Sequence, residues 1–406
     1  MSRLGGRAYS NLPDLVVFLT SVSEGIIGGI LHYLDPLERL LPGRGIDVRS
    51  FRFPKGLNLM EARGLPKPVR IPIHVAYAIL CLIRILRLRH QYGTILVHSH
   101  GASYVLLTAF LAKFLGHSAV HTFHSPWTKH SLTLRLLSPR IDGLVFVSKS
   151  LEEMFKSFSS VRNEFVRYVP GAVNVDLYHP ISPVEKQRAR QQFLQEYGLP
   201  NRGKLVIFVG RVTPVKGVAE LVEAVAHLKA FKSPVSVLIV GPVLDSEAAH
   251  AYLERLERIV SKFQLQDYVV LTGALSYPKK ADLIAAADLL VSPSLWEASS
   301  ITVVEAFATG IPVVASRAGG LTERVQPGEN GLLVDPGDPR QLADAIDRLV
   351  RDDSVRLEMG RKARETAVRV YSEEELVNKH LKLYAAVLSR VRASRSEVEM
   401  SSATSP

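Results

Sequence analysis

Strand-length apolar runs alternate with helical stretches through two successive halves of this 406-residue chain, which predicts an α/β protein with parallel sheets covered on both sides. Hydrophobic residues make up 47% and charged residues 22%, an ordinary globular composition. The length lets each half bury a core of its own. Ligands of such sheets bind at the carboxyl ends of the strands, so the loops that follow strands are the places to look for function.

In the first half, Leu15 to Thr20 reads as a strand, and a helix is expected from Ile30 through Leu41. Ile95–His98, Ala119–Phe123, Leu144–Val147 and Val166–Val169 read as further strands, with helices over Ala102–Leu115 and Lys149–Phe158. Pro180-Ile181-Ser182-Pro183 opens a connection that holds a short helix over Arg188–Tyr197. The second half offers strands at Lys204–Val209, Val235–Val240, Val269–Thr272, Leu289–Val291 and Val313–Val314. Helices over Val218–Phe231 and Ala248–Phe263 intervene, and a last helix is expected over 372–388. The Ser-, Arg- and Glu-rich residues 391–406 read as a disordered tail.

The net charge of +11 belongs to the first half: residues 1–180 carry 21 Lys+Arg against 11 Asp+Glu, the rest 29 against 28. Arg44, Arg49, Arg52, Lys55, Arg63, Lys67 and Arg70 lead that excess, followed by Arg84, Arg87 and Arg89. Such a face is either solvated surface or a dock for an anionic membrane. The apolar stretch Val75–Ile83 is correspondingly either core or part of that dock. No aromatic-interleaved basic strand favours nucleic acid. Cys81, the single cysteine, lies in an apolar run and reads as an inert thiol in a reducing compartment. No apolar run reaches the roughly 18 residues of a spanning helix. A cytoplasmic protein is expected, with a peripheral place on the inner face of a membrane as the alternative.

The segment Ser294 to Glu305 carries the densest chemistry. Ala298, Ser299 and Ser300 are small, so a ligand can approach the backbone where a helix begins near Ile301, and the free amides and helix dipole there favour a diphosphate. Glu305 lies about one turn inside that helix and Glu297 just before it. One carboxylate can serve a sugar and the other a ribose, the arrangement of a nucleotide-sugar site. The competing reading makes Thr302-Val303-Val304-Glu305 a capping box. Gly210-Arg211-Val212-Thr213-Pro214-Val215-Lys216-Gly217 follows a strand, where Arg211 can fork onto phosphate oxygens and Lys216 can add a mobile charge.

These motifs, with Gly310-Ile311-Pro312-Val313-Val314, Ala318-Gly319-Gly320 and Glu329-Asn330-Gly331, closely resemble the family 4 retaining glycosyltransferases from about residue 15 to about 388. The resemblance implies the GT-B fold, two Rossmann-like domains facing a cleft: an acceptor domain over 10–180, joined by helix 372–388, and a nucleotide-sugar domain over 200–371. It implies a diphosphate clamp of Arg211 and Lys216, with Glu297 orienting the donor sugar and Glu305 holding the ribose. Gly28 and Gly29 correspond to the family's glycine-rich loop, Gly273 and Ala274 to the segment whose backbone reads the base, and His124 to the active-site histidine. His98 and His121 read as structural histidines, and His100 stays open between the two roles. Ala298-Ser299-Ser300 departs from the Gly-Phe-Gly of many members, which leaves the sugar open.

No covalent nucleophile is required for such a transfer, and no metal or other cofactor is expected, since Asp-x-Asp is absent and the histidines lack acidic partners at ligand spacing. The donor is expected to be a UDP-sugar, with a GDP-sugar as second choice; the acceptor is unknown, with a lipid-linked hydroxyl as one option. Rivals are a sugar-nucleotide epimerase on the same fold, which would need acid and base groups around the sugar, and a catalytically silent module for an anionic surface.

Overall fold

The computed structural model describes residues 11–23, 29–53, 67–101, 103–126, 132–157 and 166–403. The chain forms two compact units, residues 1–171 with 374–406, and residues 172–373.

The first unit holds a six-stranded parallel sheet, β1 (Leu15–Ser23), β2 (Asp47–Phe53), β3 (Ile95–His100), β4 (Ser118–Phe123), β5 (Gly143–Phe146) and β6 (Val166–Tyr168), in the order β2-β1-β3-β4-β5-β6. Its helices are α1 (Gly29–Leu40), α2 (Lys67–Leu88), α3 (Ser103–Phe114), α4 (Leu132–Leu137) and α5 (Lys149–Lys156). The chain leaves β1 for β2 and returns on the other side as β3, so strand order reverses between β1 and β3. β2 went unrecognised in the sequence because Asp47, Arg49 and Arg52 break its apolar pattern; it is an edge strand, where charge is tolerated.

α2 answers both sequence readings at once. Tyr77, Ala78, Cys81 and Ile85 are buried, and the Tyr77 hydroxyl donates to the Phe51 carbonyl at 2.6 Å. Burial pushes the Cys81 thiol up to about 11. On the opposite face Val75, Ile79, Leu80, Ile83 and Leu86 are 39–57% exposed. That apolar stripe, at spacings of three and four, is surface rather than core.

The second unit repeats the plan with β7 (Lys204–Val209), β8 (Val235–Val240), β9 (Val269–Gly273), β10 (Leu289–Ser292), β11 (Val313–Ser316) and β12 (Gly331–Val334), ordered β12-β11-β10-β7-β8-β9 and parallel throughout. Its helices are α6 (Pro183–Glu196), α7 (Val218–Ala230), α8 (Glu247–Lys262), α9 (Tyr277–Ala286), α10 (Ile301–Ala308), α11 (Leu321–Arg324), α12 (Pro339–Arg351) and α13 (Asp353–Val370). One core cluster contains Ile207, Leu290 and Phe307, the other Val206, Leu221 and Val314, so neighbouring residues of one strand feed different clusters. Order reverses between β7 and β10, which makes the gap beyond their carboxyl ends the place for a ligand.

The last helix, α14 (Glu373–Ala403), packs His380, Tyr384 and Val387 into the first unit from Glu374 onward. It also corrects the expectation of a disordered tail from 391, since residues 391–403 are helical. Bonds within the unit hold this part: Arg392 donates to Asn11 Oδ1 at 2.9 Å and Arg395 to the Gly116 carbonyl at 2.6 Å. Ala393, Arg395 and Glu397 also suit a helix intrinsically.

Two glycines separate ordinary turn demands from close packing. Gly217 (φ +69°) carries no Cβ, and one there would lie 1.9 Å from the Pro293 carbonyl oxygen; at Gly198 (φ +66°) nothing lies within 4 Å. Gly198→Ala should cost about 1–2 kcal/mol from the left-handed backbone alone. Gly217→Ala must add backbone displacement, another 1–3 kcal/mol or so. Urea unfolding of the two variants checks this, and equal losses would contradict it.

Candidate functional site

The sequence-selected residues of the second unit gather at the switch point between β7 and β10. The β7 loop carries Arg211 and Lys216, and the β10 loop carries Glu297. Backbone bonds bring the loops together: the Leu295 amide donates to the Val215 carbonyl at 2.9 Å, and the Gly320 amide to the Glu297 carbonyl at 2.8 Å. A Cβ on Gly319 would lie 2.2 Å from that same carbonyl. Held this way, Lys216 Nζ donates to Glu297 Oε2 in an ion pair only 19% and 12% exposed. Lys216 is therefore not the free, mobile charge read from the sequence. Arg211 is exposed.

α10 begins at Ile301, and its N-cap Ser300 makes no side-chain cap bond; the Ser300 hydroxyl instead meets Thr302 Oγ1 at 2.9 Å. Glu305 is thus the fifth helical residue, two positions beyond the capping-box place, and the cap reading falls. It is 1% exposed, accepts from Lys280 Nζ at 2.7 Å through Oε1, and keeps Oε2 buried without a partner. Lys280, which sequence reading missed, stands 4.8 Å from the Tyr277 ring centre and 5.6 Å from that of Tyr178. Its only signal was a lysine early in a helix, which is common. Burial and the charge of Glu305 push the Tyr178 phenol up. Ser299 is partly buried and accepts from Arg324, another residue the sequence did not single out. Gly273 (φ +75°) and Ala274 are exposed at the carboxyl end of β9, where the Gly273 carbonyl accepts from the Gly241 amide at 2.9 Å.

In the first unit Gly29 starts α1, and Gly28 lies outside the described residues. Nearby, the ends of β3 and β4 form a histidine cluster. His98 is satisfied on both sides, by Tyr384 Oη and by Thr122 Oγ1, each at 2.7 Å, so it is structural. His121 Nδ1 meets Ser99 Oγ at 2.7 Å while Nε2 stays buried and unpartnered. His100 Nδ1 lies 2.9 Å from His124 Nε2, which brings the undecided histidine into direct contact with the active-site candidate. Tyr33 presents its ring edge-on to His124, centroids 5.0 Å apart, and its hydroxyl meets His380 Nε2 at 3.3 Å.

Burial, reinforced by neighbouring histidines, holds His98 and His100 well below the ordinary range and His121 and His124 at about 3. Burial, partly offset by the bond to the Leu376 carbonyl, holds His380 at about 4. The cluster is neutral at pH 7, so within the His100–His124 contact one ring donates and the other accepts. Among the described residues, no group of three or more His, Cys, Asp or Glu side chains is placed to hold a metal ion.

The model for glycosyl transferases group 1 matches residues 189–366, and that for glycosyltransferase family 4 matches residues 27–177. A D-inositol 3-phosphate glycosyltransferase of Acidothermus cellulolyticus is 28% identical over 383 residues, 86% of this chain and 83% of that protein. Another, of Corynebacterium jeikeium, is 36% identical over 197 residues, so there the match spans about half of each chain (48% and 46%). The structure of Anabaena HepE in complex with UDP is 21% identical, covers 91% of this chain and 99% of that one, and superposes with a TM-score of 0.71. The shared architecture is GT-B.

Unfolding releases the neutral histidines to an ordinary value near 6.5, so between that pH and about 3 the unfolded chain binds more protons than the folded one. Stability from this source is complete above pH 7 and is lost as pH falls through that window. Calorimetry at pH 5.5 in buffers of different ionisation enthalpy should reveal proton uptake on unfolding. Its absence would contradict the neutral cluster.

Proposed function

We propose that this chain, which belongs to the group 1, family 4 glycosyltransferases, moves a sugar from a nucleoside diphosphate to an acceptor hydroxyl with retention of configuration at the sugar. The observation that carries the reading is the arrangement at the β7–β10 switch point. An exposed guanidinium, a lysine and the uncapped start of α10 stand on the loops where a diphosphate would sit, with carboxylates before that helix and one turn inside it. Departure of the diphosphate is the demanding step, and preset positive charge stabilises what develops there.

In this reading Arg211 and Lys216 meet the phosphate charge, so no divalent cation is invoked. Glu305, steadied by Lys280, accepts from the ribose hydroxyls, and Glu297 orients the sugar. The backbone at Gly273 and Ala274 reads the base, with UDP-sugars the donor class; complexes of Anabaena HepE with UDP-glucose, and with UDP and glucose, support that choice. The first unit's part is acceptor binding, with Gly28 and Gly29 as donor-binding residues set against the diphosphate and the acceptor, and His124 as a neutral hydrogen-bonding partner for the donor sugar. Oriented hydroxyl attack on the face that the leaving diphosphate occupies needs no covalent nucleophile.

The acceptor side is proposed to work at an anionic membrane surface on the inner face of the cell. No described helix is long and apolar enough to cross a membrane. The exposed stripe of α2 would instead lie in the interface, with Arg84, Arg87 and Arg89 at its end supplying positive charge. The earlier cations contribute unevenly to such a face. Arg44 and Arg52 are paired with Glu374 and Glu38, whereas Arg49 is exposed. Lys55 and Arg63 lie outside the described residues, as do the side chains of Lys67 and Arg70.

Arg211→Ala should lower turnover roughly 10²-fold with the fold intact, as for loss of one preset charge stabiliser; wild-type turnover in the folded variant would sink the clamp. Binding to anionic vesicles should exceed binding to neutral ones and weaken with salt, at about 1 kcal/mol per basic residue near the surface. The double variant Ile79→Glu, Leu80→Glu should lose it without a change in Tm, since both side chains are exposed. Co-sedimentation that is equal for both lipids, or absent at low salt, would remove the membrane claim.

A further inference from the structure

Arg324 closes α11 and is 2% exposed, a rare place for a cation. Its Nη2 donates to Oγ of Ser299, the residue just before the N-cap of α10. Its Cζ lies 5.0 Å from the centre of the Tyr371 ring, and its own carbonyl accepts from Asn330 Nδ2 at 3.0 Å. Nη1 is buried with no hydrogen-bond partner. Among the described residues no carboxylate comes within ion-pair distance of it; the acids nearest in function, Glu297 and Glu305, are taken by Lys216 and Lys280.

A full positive charge is therefore kept in the interior with one ring face and one hydroxyl as its partners. Packing alone does not account for it. A buried ion without a counter-charge is costly, and an apolar side chain of similar volume fills the same space at no such cost. The charge makes sense where an anion completes its surroundings. Its one polar side-chain contact leads to the start of α10, where the first-turn amides have no side-chain cap and already favour negative charge.

The direction of the bond matters. A guanidinium can only donate, so Ser299 Oγ must accept from Arg324, and its own proton is left for another acceptor. The neighbouring hydroxyl is not equivalent, because Ser300 is engaged with Thr302. We propose that Arg324 is a positioning residue for diphosphate recognition: it sets Ser299 as a hydrogen-bond donor to the phosphoryl oxygens and lends buried positive potential to the start of α10. This rests on the reading that a nucleoside diphosphate occupies that helix start, and it adds a further contribution to those of Arg211 and Lys216.

The test uses the full chain with Arg324→Met, Arg324→Lys, Ser299→Ala, the Arg324→Met/Ser299→Ala double variant, and Arg211→Ala as reference. UDP and GDP binding is read by calorimetry, Tm is taken without ligand, and kcat and KM are measured for the donor. Arg324→Met should keep or raise Tm yet weaken nucleotide binding about tenfold, the loss expected for a charge-assisted contact. Ser299→Ala should weaken it by a similar factor, the double variant should be no worse than Arg324→Met alone, and Arg324→Lys should recover part of the loss. A merely structural arginine predicts the reverse, a lowered Tm with nucleotide affinity unchanged, and that result overturns the proposal. Strictly additive losses in the double variant also overturn it. Should Arg324→Met fail to fold, Ser299→Ala with wild-type affinity is enough to do so. If Arg211→Ala weakens nucleotide binding while Ser299→Ala and Arg324→Met do not, only this inference fails; if neither nucleotide binds the wild type, the donor-site reading falls with it.

Discussion

The second unit depends on three backbone segments coming closer than side chains would allow. Gly217 places residues 213–217 against Pro293, and Gly319 places residues 318–320 against Glu297. Two amide bonds then lock the segments, Leu295 to Val215 and Gly320 to Glu297. The Lys216–Glu297 part of the site is hung on that junction. Lys216 meets Glu297 because their loops are tied, and the loop entering α10 starts from a carbonyl already held in place. Loops carry the side chains, but their positions are inherited from the ends of β7, β10 and β11.

The two units use opposite electrostatic strategies. In the second, charges are buried in pairs, Lys216 with Glu297 and Lys280 with Glu305, and Arg324 stands without a carboxylate. In the first, the histidines crowd one another under burial that holds each of them neutral. The difference suits the chemistry proposed for each. A leaving diphosphate brings two or more negative charges and calls for fixed cations, whereas a neutral sugar hydroxyl calls only for hydrogen-bonding groups whose tautomer is defined. In the His100–His124 contact, His100 Nε2 is the atom left unpartnered. A bare acceptor nitrogen is tolerated inside a protein better than an orphaned N–H, which favours His100 as the donor and leaves Nδ1 of His124 carrying the proton.

What could be read from the sequence was whatever has a short, local signature. The apolar runs of Val206–Val209 and Leu289–Val291 announce buried parallel strands, and Gly210 to Gly217 and Ser294 to Glu305 follow at their ends. Features that depend on distant partners stayed hidden. β2 carries charges because it is an edge, Lys280 matters because Glu305 folds against it from 25 residues away, and residues 391–403 are helical with Asn11 and Gly116 as partners. Arg324 left no signal of its own, because a burial this complete is a property of the packed unit. The exposed face of α2 was half legible: the apolar stretch was plain, but only packing tells Cys81 from Ile79.

The Lys216–Glu297 pair also bears on how the site can work. Without a ligand, each residue is the other's partner in a half-dry place, so neither charge is left costly and neither side chain wanders. A diphosphate arriving beside Lys216 competes with Glu297 for its protons. Lysine can share three of them, and a carboxylate loosened from its cation becomes a better acceptor for sugar hydroxyls. In the proposed reading, donor binding would thus strengthen the contact assigned to Glu297 on the sugar, whereas a free phosphate would loosen Glu297 with no sugar to receive it. Specificity for a complete nucleotide sugar over its fragments can then arise from the pair itself, since its separation is offset only when both ends of the donor are present.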